Sequence, residues 1–318
     1  MRMLILGLDS LSYSVAYQLG KEFEIVVVTN DIPPSHPVKR YYYNDLTYMK
    51  TVFAKVDPLN EPDRLRYLMK ISDVVVNFIS VFGKDENEMM KANYEAPKSL
   101  VNVLKDVNPD ALFIHISTFS LGQKSKHVEE EYPHGTNMEP GNAFEKSKLM
   151  GEKEVMKADI RKVILRPTVV YGITNAYKHF VETYKFAKRG IIPGINVKIP
   201  TVDVRYLASV IKILANERPK SDYFYVTECE KVSMSDILDL YCEALNKRCV
   251  KIPVLKPALD VMKRLYPEAG VTLKYSDYEF SCKRTKEILG DITFIKEDII
   301  ENAKFLRYLE TQDELVPE

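Results

Sequence analysis

Met3-Leu4-Ile5-Leu6-Gly7, then the span Ser10 to Leu19, then Ile25-Val26-Val27-Val28-Thr29 form the stretch that decides the fold. The two apolar runs are short, nearly continuous and closed by turn residues, the pattern of strands buried on both faces. Ser10 to Leu19 between them reads as a helix, with Gly20 near its end. A helix joining two such strands makes them parallel. The same alternation continues outward. Thr51 to Val56 predicts a third strand ending at Asp57-Pro58, Asp73 to Ser80 (D-V-V-V-N-F-I-S) a fourth, and Ala111 to Ser117 (A-L-F-I-H-I-S) a fifth. A helix over Glu86 to Val107, bent near Pro97, joins the last two. After the helix that carries Phe144 and Lys148, Lys162 to Pro167 gives another strand. Short buried strands separated by helices define an α/β protein with a doubly wound parallel sheet.

The regular pattern loosens beyond Gly172. The expected organisation is a sheet domain over residues 1–170, with a return segment near 200–230, and a smaller C-terminal α/β substrate domain over 171–318. In the second part a helix near Tyr177 to Arg189 precedes a turn at Gly190-Ile191-Ile192-Pro193-Gly194. Ser233 with Asp236 resembles a capping box opening a helix to Leu245. A helix closing at Leu289-Gly290 and a final one from about Lys296 complete the chain.

Lys plus Arg equals Asp plus Glu at 45 each, so no net field favours nucleic acid or an anionic membrane. No apolar run reaches the roughly 18 residues of a membrane span, and Met1 to Leu6 reads as a strand, not a signal peptide. Cys229, Cys242, Cys249 and Cys282 show no C-x-x-C spacing, so no metal site is expected. Reduced, buried thiols in a cytoplasmic protein are the expectation.

Chemistry enters at Phe144-Glu145-Lys146-Ser147-Lys148. Residues at i and i+4 share a helix face, and this segment resembles the Y-x-x-x-K motif of the short-chain dehydrogenase/reductase superfamily with its tyrosine replaced. Other segments match in order. Asp73 to Ser80 resembles the form D-V-V-I-H-L-A-A, and Asn93-Tyr94-Glu95-Ala96 resembles N-x-x-G. Phe113 to Ser117 followed by Leu121-Gly122 resembles the strand ending in the catalytic Ser or Thr. Arg166-Pro167-Thr168-Val169-Val170-Tyr171-Gly172 matches R-P-x-x-V-Y-G, and Phe280 to Gly290 matches F-S-x-x-K…L-G. The chain is thereby identified as a member of the extended, atypical short-chain dehydrogenases, relatives of the NAD-dependent epimerase/dehydratase group.

That resemblance implies a Rossmann-like sheet, NAD or NADP as cofactor, a small-molecule ligand such as a nucleotide-sugar, and a homodimer paired through the helices after the fourth and fifth strands. It assigns Ser117 to polarise the substrate carbonyl or hydroxyl and Lys148 to hold the nicotinamide ribose. Phe144 stands at the position of the missing Tyr. The cofactor residues it implies are Gly7, Ser10 and Leu11 in the phosphate turn, Thr29 or Asn30 at the ribose, and Asp57 at the adenine edge. Asn77 and Phe78 end the fourth strand, Asn93 supports the active-site helix, and Pro167 and Val169 line the nicotinamide side.

Departures cluster at the same places. Of G-x-x-G-x-x-G only Gly7 remains, Tyr13 stands at the third glycine, and Asp9 adds a negative charge. Val169 replaces an Asn that nucleotide-sugar epimerases often carry, and Tyr206 replaces an Asp. The functional expectation is an NAD(P)-binding oxidoreductase or sugar-nucleotide epimerase with altered or weakened catalysis. The alternative is a non-catalytic ligand-binding or scaffold protein on the same fold. Proton carriers other than Phe144 are Lys148, Tyr171, His115, His134 or a substrate-held water, with His115 reading as a packed core residue.

Overall fold

A computed structural model describes residues 1–83, 85–195, 197–254 and 267–318. Strand β1 (Arg2–Leu6), helix α1 (Ser10–Leu19) and strand β2 (Glu24–Thr29) form the strand–helix–strand unit expected from the opening residues. The main sheet has seven strands in the order Ser221–Val226, Arg161–Pro167, β5 (Leu112–Ile116), β4 (Val74–Asn77), β1, β2 and β3 (Val52–Lys55). Every neighbouring pair is parallel. The chain runs outward from β1 through β2 and β3, then restarts on the other side of β1 with β4. That reversal opens a crevice beyond the carboxyl ends of β1 and β4, where doubly wound sheets bind ligands.

Pleating sends alternate side chains to two cores. Met3, Ile5, Val27, Val76 and Ile114 meet α1 and the Val204–Glu217 helix on one face. Leu4, Leu6, Val26, Val28, Val75 and Phe113 meet the Ala96–Val107 and Ala143–Lys157 helices on the other. A sheet buried on both faces explains why the strands read as continuous apolar runs.

Three local expectations are corrected. The helix expected to bend at Pro97 runs as Glu86–Met90, a π-turn over Lys91–Glu95, and Ala96–Val107. The irregularity lies just before the proline, so Pro97 starts the following segment where its missing N–H costs little. The expected turn at Gly190 to Gly194 is instead a strand, Ile191–Gly194, paired in parallel with Val250–Pro253. Finally, the thiols are not reduced: Cys229 is bonded to Cys282, and Cys242 to Cys249. Their Cα separations of 5.3 and 6.1 Å lie within disulfide range. Folding brings them together across 53 and 7 residues, spacings that carry no sequence signature.

Candidate active site

A cleft of about 470 Å³ lies in the crevice, and its wall includes Leu11, Phe78, Ser117, Phe144, Lys148, Pro167 and Val169. Residues scattered over the chain thus converge because each follows the carboxyl end of a parallel strand or sits on the helix that crosses over it.

The Ala143–Lys157 helix starts at Asn142, whose side chain accepts from the Glu145 N–H. Lys148 is 1 % exposed. Its Nζ donates to the Ile116 carbonyl and to Ser80 Oγ, each at 3.3 Å. Burial pushes the ammonium down to about 8, opposed by the carboxylate of Glu152. One turn earlier the Phe144 ring stands edge-on to Phe82, with centroids 4.7 Å apart. Ser117 Oγ is buried and has no hydrogen-bond partner among the described residues.

Buried bonds hold this helix in place. Asn93, in the π-turn, donates to the Val81 carbonyl and to Ser147 Oγ, and its Oδ1 accepts from the Val81 N–H. Gly151 allows the helix to close on that turn, since a Cβ there would stand 2.0 Å from the Asn93 carbonyl oxygen. The fully buried Arg166 guanidinium donates to both oxygens of Glu152 and to Glu131, tying the Arg161–Pro167 strand to the helix.

At the other end of the cleft, Gly7 makes the turn out of β1 at φ +100°, a conformation that favours glycine. Asp9 caps α1, accepting from the Ser12 N–H while Ser12 Oγ accepts from the Asp9 N–H. The other Asp9 oxygen accepts from the Tyr177 hydroxyl at 3.0 Å. Tyr13, bulky where the family has glycine, stacks on Tyr42 at 4.4 Å and donates to Asp45. The Glu318 carboxylate lies at the start of α1, accepting from the Ser10 N–H at 3.0 Å and the Ser10 hydroxyl at 2.5 Å. Helix N-termini are anion sites, and here a carboxyl group of the chain itself occupies one.

Gly7, Ser10, Thr29, Asn30, Asp57, Asn77 and Asn93 are not on the cleft wall. Thr29 is buried at the end of β2 and Asn30 is exposed beyond it. Asp57 accepts from the Leu59 and Asn60 N–H groups of its own turn. Asn77 bonds His115 Nδ1 at 3.0 Å and accepts from the Ile79 N–H. His115 is fully buried, and desolvation beside Lys148 pushes its imidazole down to about 3. His134 meets Glu152 at 2.9 Å. The Tyr171 hydroxyl donates to Glu228 and accepts from the Ile295 N–H, with burial raising its ionisation. Of the four side-chain proton carriers weighed from the sequence, Lys148 alone lies on the wall.

Sequence reasoning missed Ser80, Phe82, Lys39 and Glu318 as wall residues. Ser80 was legible in principle, as the last residue of the fourth-strand motif. Glu318 was not, because its partner Ser10 is 308 positions away.

A doubly wound sheet with a serine after β5 and a buried lysine on the next helix, both facing one cleft, defines a protein of the short-chain dehydrogenase type. The model of the NAD dependent epimerase/dehydratase family matches residues 10–231, and the chain belongs to that family. Solved structures of similar fold include UDP-glucuronic acid 4-epimerase from Bacillus cereus, in complex with UDP-glucuronic acid and NAD. It is 18% identical with a TM-score of 0.76, over 97% of this chain and 100% of that one. The UDP-Glc/GlcNAc 4-epimerase from Campylobacter jejuni is 15% identical with a TM-score of 0.76, covering 98% and 99%. A curated relative is the 3 beta-hydroxysteroid dehydrogenase/Delta 5-->4-isomerase of Vaccinia virus (strain Ankara), 28% identical over 130 residues. That match takes in 36% of this chain and only 37% of the viral protein. Among the described residues no helix is long and apolar enough to cross a membrane.

Proposed function

We propose that this protein binds NAD or NADP across the carboxyl edge of the sheet, with only the nicotinamide end in the cleft, and acts on a carbon–oxygen centre of a small molecule, with Lys148 in the proton role that the missing tyrosine leaves open. The carrying observation is the pairing of a buried Lys148 with the unpartnered Ser117 Oγ on one wall. Two features favour a dinucleotide: Gly7 turns the chain out of β1 at a φ that favours glycine, and the Ser10 N–H and hydroxyl at the start of α1 already hold a carboxyl group. Asp57, Thr29 and Asn30 are proposed for its adenosine half, and Lys148 with Pro167 and Val169 for its nicotinamide half. Bound there, the cofactor would supply a hydride acceptor and donor.

Ser117 donates its free hydroxyl to the substrate oxygen and orients it. With its ammonium brought down to about 8, Lys148 is present in both protonation forms near neutral pH and exchanges the proton. The Ile116 carbonyl and Ser80 keep Nζ in place. Phe82 and Phe144 shield that exchange from water. The Glu318 carboxyl occupies that helix terminus, so a diphosphate enters only when Glu318 leaves Ser10.

The competing reading is a non-catalytic ligand-binding or scaffold protein, favoured by Phe144 and by the Glu318 carboxylate on α1. Titration with NAD, NADH, NADP and NADPH, followed by nicotinamide fluorescence and heat, separates the two. Binding of one dinucleotide, with turnover lost in Lys148→Met, supports the enzyme; no binding at millimolar cofactor removes it. UDP-glucuronic acid is the first nucleotide-sugar to assay, given the ligand in the Bacillus cereus structure. A homodimer through the Ala96–Val107 and Ala143–Lys157 helices belongs to the same proposal, and light scattering on the purified protein tests it.

A further inference from the structure

A second cavity of about 130 Å³ adjoins the catalytic cleft and shares Val169, His179 and Thr272 with it. Its walls include the Lys178–Lys188 helix, the Ile191–Gly194 strand, the Met234–Ala244 helix and Ile299 of the Lys296–Thr311 helix. Phe180, Phe186, Ile195, Ile199, Ile237 and Leu238 give it an almost wholly hydrocarbon lining. Glu182 is the one Asp, Glu, Lys or Arg side chain among the described lining residues, and it pairs with Lys185 at 3.1 Å. The cleft that leads to this cavity is mixed: Phe78, Phe82, Phe119 and Phe144 share its wall with Lys39, Ser117 and Lys148, so the change to a hydrocarbon lining falls at the cavity itself.

We infer that the substrate carries an uncharged hydrocarbon group, a single ring or a short chain, which seats in this second cavity while its oxygen reaches Ser117. The inference rests on the catalytic reading above and narrows it. Size supports it: an apolar cavity of about 150 Å³ holds one benzene-sized ring. Charge supports it as well. A diphosphate placed there would lose its water against hydrocarbon, meet a carboxylate, and find no Lys or Arg among the described lining residues. The hydrocarbon group gains from the same surface through burial of its apolar area. The nucleotide-sugar expected from family resemblance is therefore the wrong shape of chemistry for this compartment.

The test uses the whole protein with primary n-alkanols from propanol to octanol as probes, with UDP-glucose as the polar comparison and NADH as the cofactor control. Competition or ligand-observed NMR reads affinity. Each added methylene is expected to tighten binding about fourfold until the cavity is full, while UDP-glucose at about 10 mM competes with none of the alkanols. Ile237→Phe should shorten the rising part of the series and leave NADH affinity unchanged. If that variant melts early, Thr183→Leu fills the cavity from the opposite helix and must give the same truncation. Affinity that is flat with chain length, or UDP-glucose binding tighter than hexanol, overturns the inference. A rising alkanol series without any NADH binding removes the dinucleotide reading and leaves the apolar site standing.

Discussion

Replacing Lys148 with methionine should change the sign of a stability difference between neutral and alkaline pH. The ammonium is completely buried, and its ionisation is brought from 10.5 to about 8 by desolvation. Between those values the unfolded chain holds a proton that the folded chain has released, so wild-type stability rises with pH across that window. Below about pH 8 the full penalty stands, about 3 kcal/mol at 1.36 kcal/mol per pKa unit. Methionine keeps most of the apolar stem and removes the charge. It also removes the bonds to Ile116 and Ser80, together about 2 kcal/mol at a typical net value near 1 each. At pH 7 the variant should be about 1 kcal/mol more stable than wild type, and at pH 10.5 about 2 kcal/mol less. Urea unfolding of both proteins at pH 7, 8, 9 and 10 isolates the difference from all other titrating groups. Parallel pH profiles would refute the reasoning, because they would mean that Lys148 titrates at its ordinary value and is no candidate for proton exchange.

Phe144→Tyr should raise turnover by about 10²-fold, the usual worth of a positioned acid or base, because it restores a phenol one helical turn from Lys148. An unchanged kcat in a folded variant refutes the assignment of Phe144 to the vacant role. Glu318→Ala should tighten NADH binding about tenfold at pH 7, since it removes the carboxylate held by Ser10. Burial, with Asp9 nearby, raises the Glu318 carboxyl to about 7, so docking weakens as pH rises from about 4.5 to 7. Wild-type NADH affinity should therefore climb over that range while the variant's stays flat; equal slopes by calorimetry refute competition between Glu318 and the cofactor for Ser10. Reducing the Cys229–Cys282 bond, which closes a 53-residue separation, should cost about 4 kcal/mol and lower Tm by about 6 °C. Four titratable thiols in the untreated protein would contradict it.

The fold was legible because the signals that specify it are local. Runs such as Ile25 to Val28 are short and apolar throughout, and that pattern is a property of adjacent residues. The i, i+4 spacing of Phe144 and Lys148 likewise needs no tertiary information, and both reach the cleft wall. Local reading failed where partners are distant. Gly190 to Gly194 contains glycine and proline, so it reads as a turn; pairing with Val250–Pro253 makes it a strand. The cysteines look unpaired until the chain folds over 53 residues.

By itself the sequence determined a parallel doubly wound sheet, a lysine one helical turn beyond a position without its hydroxyl, and a phosphate turn reduced to Gly7. Only the tertiary structure decided what those features face. It buries Lys148 and so brings its ionisation toward neutrality, leaves Ser117 Oγ without a partner among the described residues, and lays Glu318 on α1. It also sets a hydrocarbon cavity beside the cleft from several elements of the second half. The physical reason is the same in each case. Helices and strands follow from neighbours along the chain, whereas desolvation, unsatisfied hydrogen bonds and cavities arise from groups that only folding brings together.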